Sequence, residues 1–410
     1  METIGIDRAT EKASKRINLF IVGLMILPIY IKFMDVMSNI ISFDTVITSY
    51  IYYGWLWILL VLALPGLIKK NSNEIIITAA VVAGIIIFSL ILFPSSGKYI
   101  FDNDIEKIAT FNTPVFLLSA SFLIVGLAVV NIEQLISMIC KGAKLGILIA
   151  TCSYVIVLAK GMNIHYDDMA NAYAIGLLVC LLIPFSERKN LIYIILGMVC
   201  LMITGTRGPI LCVVVAFIFK GVIFEVKYTK KFVNTVLYIV IGLLIYYMLG
   251  VRIIEGFSDL MSNFDVSNLR IVDYFRDEML LDSSGRDDYY NELIQAIKEQ
   301  PIAGYGIGGD RYILGDSYAH NIIIECLVSF GGFGGGAIVV WIMANSLRLL
   351  RSKHLDLRKL GIGLFCGIII KLMISSSVIM SKEFFLFMGI CMSSKKYLAE
   401  KNAEEVKTDN

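Results

Sequence analysis

Apolar residues run along this chain in long blocks, separated by short polar breaks, with one exception. A bilayer's hydrocarbon core calls for roughly 20 consecutive apolar residues of helix. Windows of that kind lie near 17–37, 51–68, 75–93, 114–130, 145–160, 169–185, 191–204, 209–224, 232–250, 319–345, 360–378 and 383–394. The exception is 251–318, a long polar stretch between the ninth and tenth windows. The pattern predicts an all-α integral membrane protein with about 12 transmembrane helices and one long loop. The chain divides accordingly into membrane helices (1–250), the loop (251–318), three further helices (319–394) and a mixed-charge, solvated tail (395–410).

The loop carries its own local signal. Ser284 followed by Asp287 resembles a capping box, and Asp288 and Glu292 add early negative charge. Tyr289, Leu293, Ile294 and Ile297 then recur at helical spacing until Pro301 stops the pattern. A short amphipathic helix is therefore predicted over 285–299, lying on the membrane-facing side of the loop.

Charge orients the spans. Basic clusters at Lys12/Lys15/Arg16, Lys69/Lys70, Lys141/Lys144, Arg188/Lys189, Lys220/Lys227/Lys230/Lys231 and Arg348/Arg351/Lys353/Arg358/Lys359 all fall on one side if both termini are cytoplasmic. The positive-inside rule then places 251–318 and the Thr204–Gly208 turn outside the cytoplasm. The polar N-terminal stretch before Ile17 lacks a small-residue cleavage site after the first apolar run, so that run is expected to be a retained helix. The composition agrees: 57% hydrophobic and 17% charged residues, against about 25% charged in soluble domains. A net charge of +2 gives no basic field for nucleic acid. The eight cysteines show no C-x-x-C spacing, so neither a zinc site nor a disulfide frame is expected.

Several residues on the outer side carry chemistry. Arg207, in Thr206-Arg207-Gly208-Pro209, stands at the outward start of a helix; its bland alternative is snorkelling to lipid headgroups. Arg286 stands in the first turn of the loop helix. There a cation opposes the helix dipole, so helix stability does not explain it; a salt bridge to a loop carboxylate is the alternative. His320 opens the tenth window, and Asn321 is placed to orient it. Histidine moves a proton near neutral pH, although one at a helix start also serves as a plain polar cap. His354, on the cytoplasmic side, and His165, in a short outer loop, are weaker candidates. Gly304-x-Gly306-x-x-Gly309 matches a dinucleotide fingerprint as text, but no strand or βαβ unit surrounds it. What remains is a glycine turn able to aim backbone N–H groups at an anion, or simply a flexible turn. Arg207, Arg286 and His320 thus share one side and one kind of position, helix N-termini, which favour anions; a diphosphate suits them. Glu325 and Lys371 lie at matching depths in the tenth and eleventh windows, which predicts an ion pair between them.

Thr206-Arg207-Gly208, the long outer loop, Ser284-Gly285-Arg286, Pro301-x-x-Gly304-x-Gly306 and His320-Asn321 followed by Gly331-Gly332 together resemble the O-antigen ligase and O-antigen/capsule polymerase superfamily. Asn171-Ala172 fits the same pattern, and the motif-bearing resemblance covers 169–335. It implies a metal-independent inverting glycosyltransferase without cofactor, whose donor is a glycan on a polyprenyl diphosphate. Arg207 and Arg286 would bind the diphosphate and His320 would act as base or acceptor-orienting group. Arg311, Gly304, Gly306, Asn321, Tyr289 and Tyr290 are the further substrate-binding candidates. Tyr289 or Tyr290 stands where relatives often have tryptophan, and Arg311 has no clear counterpart.

The expected function is polymerisation of lipid-linked oligosaccharide repeat units at the outer face of a bacterial cytoplasmic membrane. The expected partners are the bilayer, the lipid-linked oligosaccharides, and the flippase and chain-length regulator of the same pathway. A ligase passing finished glycan to a lipid or protein acceptor is the nearest alternative. A lipid-oligosaccharide flippase or other transporter is the alternative of another class; paired halves and charges lining a midplane cavity would mark one, whereas here the polar residues gather in an outer loop. A non-catalytic envelope-assembly factor is the fourth.

Overall fold

The computed structural model describes residues 8–41, 72–96, 115–129, 131–160, 169–185, 187–225, 286–315 and 317–408, with positions 51, 54, 58 and 61 between them. The windows at 51–68, apart from those four positions, and at 232–250, the loop over 251–285, and His165 lie outside the described residues. The described residues are helical, with no strand among them. In chain order the elements are α1 (Arg8–Ile41), α2 (Ser72–Leu92), α3 (Val115–Leu127), α4 (Ile132–Ala159), α5 (Met169–Leu182), α6 (Arg188–Thr204), α7 (Arg207–Glu225), α8 (Arg286–Glu299), α9 (Gly309–Leu314), α10 (Ile322–Leu350), α11 (Leu355–Leu364), α12 (Lys371–Ile374) and α13 (Lys382–Thr408). Among the described residues, four helices are long and apolar enough to cross a membrane: Glu11–Ile41, Ile75–Leu92, Ile132–Ala159 and Ile322–Leu350. Met169–Phe185 is a shorter apolar helix.

Several bounds differ from the apolar windows, each for a local reason. α4 begins at Ile132 rather than near 145, because Asn131 caps it by accepting from the Gln134 N–H at 2.8 Å. Its first turns are amphipathic, burying Ile132, Leu135, Ile136 and Ile139. Lys141 and Lys144 therefore sit within a helix, not in a loop. The window at 360–378 is not one helix: α11 widens into a π-type turn over Phe365–Ile370, resumes as α12, and stops before Ser375. α13 continues to Thr408, well past the predicted end of its apolar run.

α5 is the centre of the bundle. Every residue from Asn171 to Leu182 is buried, with α1, α4, α6, α7 and α11 packed around it. α3 and α13 approach each other closely. A Cβ on Gly126 would stand 2.4 Å from the Leu386 carbonyl oxygen, and one on Gly389 2.3 Å from that of Leu123. Without a hydrophobic force between helices in lipid, such small-residue contacts are what hold them together.

α10 is broken at Gly331, whose φ of 69° and ψ of −178° are outside helical space. The break frees carbonyls, and the chain between α8 and α9 takes them up. The Tyr305 N–H donates to Val328 O and the Gly306 N–H to Ser329 O, both at 2.8 Å, while the Gly332 N–H donates to Pro301 O at 2.6 Å. A Cβ at Gly331 would meet Ile302 O at 2.2 Å in a backbone region that only glycine adopts readily. Gly331→Ala is expected to cost a few kcal/mol, on the order of the 1–3 for such backbone strain with the clash added. It should lower the thermal midpoint of detergent-purified protein clearly below that of Gly336→Ala, where a Cβ meets nothing within 4 Å.

Candidate functional site

Arg286 is the first residue of α8, and that helix is held by its inner face. Leu293 is fully buried with Ala319 and Val328, and Ile297 packs beside them. Ile294, assigned to the apolar face from sequence, is 43% exposed instead. So anchored, the Arg286 guanidinium donates to the carbonyl of Ile374, the last residue of α12. Asn321 Nδ2 donates to the neighbouring Met373 carbonyl at 3.3 Å. Both side chains thus satisfy carbonyls that a helix C-terminus leaves open. Among the described residues Arg286 makes no salt bridge.

His320 lies two residues ahead of α10, half-buried, with φ of 52°, the only positive φ of a non-glycine among the described residues. Its ring packs on Tyr318 with centroids 3.9 Å apart. Nδ1 is buried without a hydrogen-bond partner among the described residues. Burial lowers its pKa to about 4, the nearby charges of Arg286 and Arg311 push the same way, and a hydrogen bond with the Ser375 backbone opposes them. The imidazole is therefore neutral near pH 7. Because the folded value lies below the ordinary 6.5, the unfolded chain binds more protons between those two values. The contribution to stability is complete above about pH 6.5 and is lost as pH falls to about 4. The thermal midpoint is expected to drop more between pH 7 and pH 4.5 for the wild type than for His320→Gln.

The turn before α7 reaches the same place through Tyr173 of α5. The Tyr173 hydroxyl lies beside the Ser375 side chain and in the field of Arg286. A Cβ on Gly208 would stand 2.0 Å from that hydroxyl, so the backbone next to Arg207 is pressed against it. Arg207 itself is the half-buried first residue of α7. The starts of α7 and α8, His320 and the end of α12 therefore converge on Tyr173 and Ser375.

Beneath His320 lies a buried charge cluster. Arg311 and Asp310 are fully buried and Glu325 is 2% exposed. Arg311 Nη1 donates to Asp310 Oδ1 at 3.1 Å and stands 3.9 Å from Glu325 Oε1; Nη2 donates to Ser377 Oγ at 2.8 Å. The Ser377 hydroxyl donates to Glu325 Oε1 at 2.6 Å, and the Val378 N–H donates to Oε2 at 2.9 Å. Asp310 Oδ2 accepts the Ala319 N–H at 3.0 Å. The Arg311 guanidinium lies 5.5 Å from the centre of the Tyr318 ring, on which His320 packs. The cluster thus fixes both walls of the histidine, 317–320 on one side and 375–379 on the other.

These contacts correct three expectations. Glu325 does not pair with Lys371: α12 ends at Ile374, the residues after it fold across Glu325, and Arg311 supplies the charge. Asn321 does not orient His320; its Oδ1 caps α10 by accepting from Ile323 and Ile324 N–H at 2.9 and 3.3 Å. The glycine turn does not offer its N–H groups to an anion. Those of Gly304, Tyr305, Gly306 and Gly309 donate to backbone carbonyls, and that of Ile307 to Ser89 Oγ. Gly304 and Gly306, both at positive φ, serve the lock on α10. Tyr289 and Tyr290 are half-buried on α8. Tyr173, Ser375 and Ser377 were missed from sequence, although three consecutive serines interrupting an apolar window were a readable sign. Among the described residues no group of three His, Cys, Asp or Glu side chains could hold a metal ion.

Long apolar helices packed through small residues define the class, an all-helical membrane protein. Residues 192–339 match the model of a family described as O-antigen ligase, a stretch from α6 into α10 that contains Arg207, Arg286, Arg311 and His320. The matched stretch supports a likeness to the O-antigen ligase and polymerase superfamily. No curated protein matches the chain.

Proposed function

We propose that this protein is a polysaccharide polymerase of the cytoplasmic membrane, with about 12 spans, both termini in the cytoplasm and the site on the outer face. It joins oligosaccharide repeat units carried on polyprenyl diphosphate, by inverting glycosyl transfer. The observation that carries this reading is the convergence of Arg286, His320 and the Arg207–Gly208 turn around Tyr173 and Ser375. Outside the cytoplasm a glycosyl donor arrives already activated, and a lipid diphosphate supplies that activation. Arg207 and Arg286 would neutralise the diphosphate as the sugar–oxygen bond to it breaks. His320, neutral at pH 7, would accept the proton of the acceptor hydroxyl as that oxygen attacks the opposite face of the sugar carbon. A diphosphate on Arg286 also offsets the positive charge that weakens His320 as a base, so basicity rises when the donor is in place.

A ligase working by the same chemistry is the second reading, favoured by the description of the matching family. Deleting the protein and examining the lipid-linked pool separates the two. Single repeat units stranded on the carrier are the result expected of a polymerase. Full-length polymer stranded on the carrier indicates the ligase. Units trapped on the cytoplasmic side would sink both in favour of transport.

A further inference from the structure

Lys371 has no part in the function proposed above, yet its surroundings suit one. It lies in an apolar stretch, half-buried, with its ammonium 5.1 Å from the centre of the Tyr173 ring. Among the described residues it makes no salt bridge. Glu383 feels its charge but accepts the Ser381 hydroxyl at 3.4 Å. Asp310 and Glu325 are already tied to Arg311. An ammonium in a membrane helix without a contacting carboxylate is costly, and such a group usually marks a ligand pathway. The ring it sits over is the meeting point of the site: the Tyr173 hydroxyl is pressed against Gly208, lies beside Ser375 and stands in the field of Arg286. One turn beyond Lys371, the Ile374 carbonyl is held by Arg286.

We propose that Lys371 is a further cation of the substrate site, binding a phosphoryl oxygen of the lipid diphosphate beside Arg286 while the Tyr173 ring steadies the ammonium. The inference rests on the reading of the donor as a lipid diphosphate. An ammonium is a compact charge with three rotatable donors, suited to a tetrahedral phosphate that an arginine fork already grips from another side. The Tyr173 face keeps the cation in place before the anion arrives.

The test uses the full chain purified in detergent and a fifteen-carbon polyprenyl diphosphate as probe. Lys371→Met is expected to weaken binding about tenfold or more, and Lys371→Arg to restore most of it. In the wild type, an amine-reactive reagent should modify Lys371 more slowly at saturating probe, as read by mass spectrometry. The labelling arm decides should Lys371→Met fail to yield monodisperse protein. Unchanged labelling, or wild-type affinity in Lys371→Met, overturns the role of Lys371; if Arg286→Ala weakens binding in the same series, the diphosphate reading itself stands. A wild type that does not bind the probe defeats that reading and this inference together.

Discussion

Arg286→Ala and His320→Ala are each expected to reduce glycosyl transfer about 10²–10⁴-fold, the range for losing a general base or a charge-stabilising group. Protein in the membrane should stay near the wild-type level. Arg286 makes one hydrogen bond to a helix-end carbonyl and no salt bridge among the described residues, so little of the fold depends on it. His320 has a buried Nδ1 without a partner among the described residues and a positive φ, both of which an ordinary core residue would avoid. The two act on one event, proton removal and leaving-group departure, so the double variant should be only slightly worse than either single one. Transfer assayed with purified lipid-linked substrate checks this. Wild-type rates in both single variants would remove the site assignment.

Arg311→Met is expected to have the opposite signature, loss of the protein rather than of chemistry alone. It leaves Asp310 and Glu325 buried without their cation, and breaking a buried pair in this way costs about 3–5 kcal/mol. That is a large part of a total stability of about 5–15 kcal/mol. Adding Asp310→Asn and Glu325→Gln removes the uncompensated charges and should recover monodisperse protein relative to Arg311→Met, as read by size exclusion in detergent. Transfer should not return with it, because the Ser377 and Tyr318 contacts that set the walls of His320 need the guanidinium. Recovery of both would show that Arg311 has no positioning role.

Much of the fold could be read from composition and apolar periodicity. Helices such as α2, α3 and α5 came from near-continuous apolar runs, and α8 from its capping signal, its spacing and Pro301. Position along the chain also gave Arg207, Arg286 and His320 as helix-start residues on one side. Other features were hidden for physical reasons. The first half of α4 is amphipathic and lysine-bearing, so a window tuned to lipid passes over it. The partner of Glu325 depends on where α12 stops, a property of backbone geometry that apolar content does not report. The glycines of 304–309 look like a ligand cradle in one dimension. In three dimensions their N–H groups are spent on protein acceptors, most on the broken α10 and on the turn itself. Tyr173 resembles any aromatic of a buried helix until Ser375 and Gly208 are brought against it.

The π-type turn over Phe365–Ile370 sets the phase of everything that follows it. Each residue of an α-helix advances about 100° around the axis, and a π-type turn takes in one residue more than an α-turn, so winding the same residues as a plain α-helix would swing Lys371 and the Ile374 carbonyl away from Tyr173 and Arg286. The site therefore carries a requirement on winding as well as on identity. A homologous chain that kept every polar residue but lost the widened turn would present the same letters in the wrong direction.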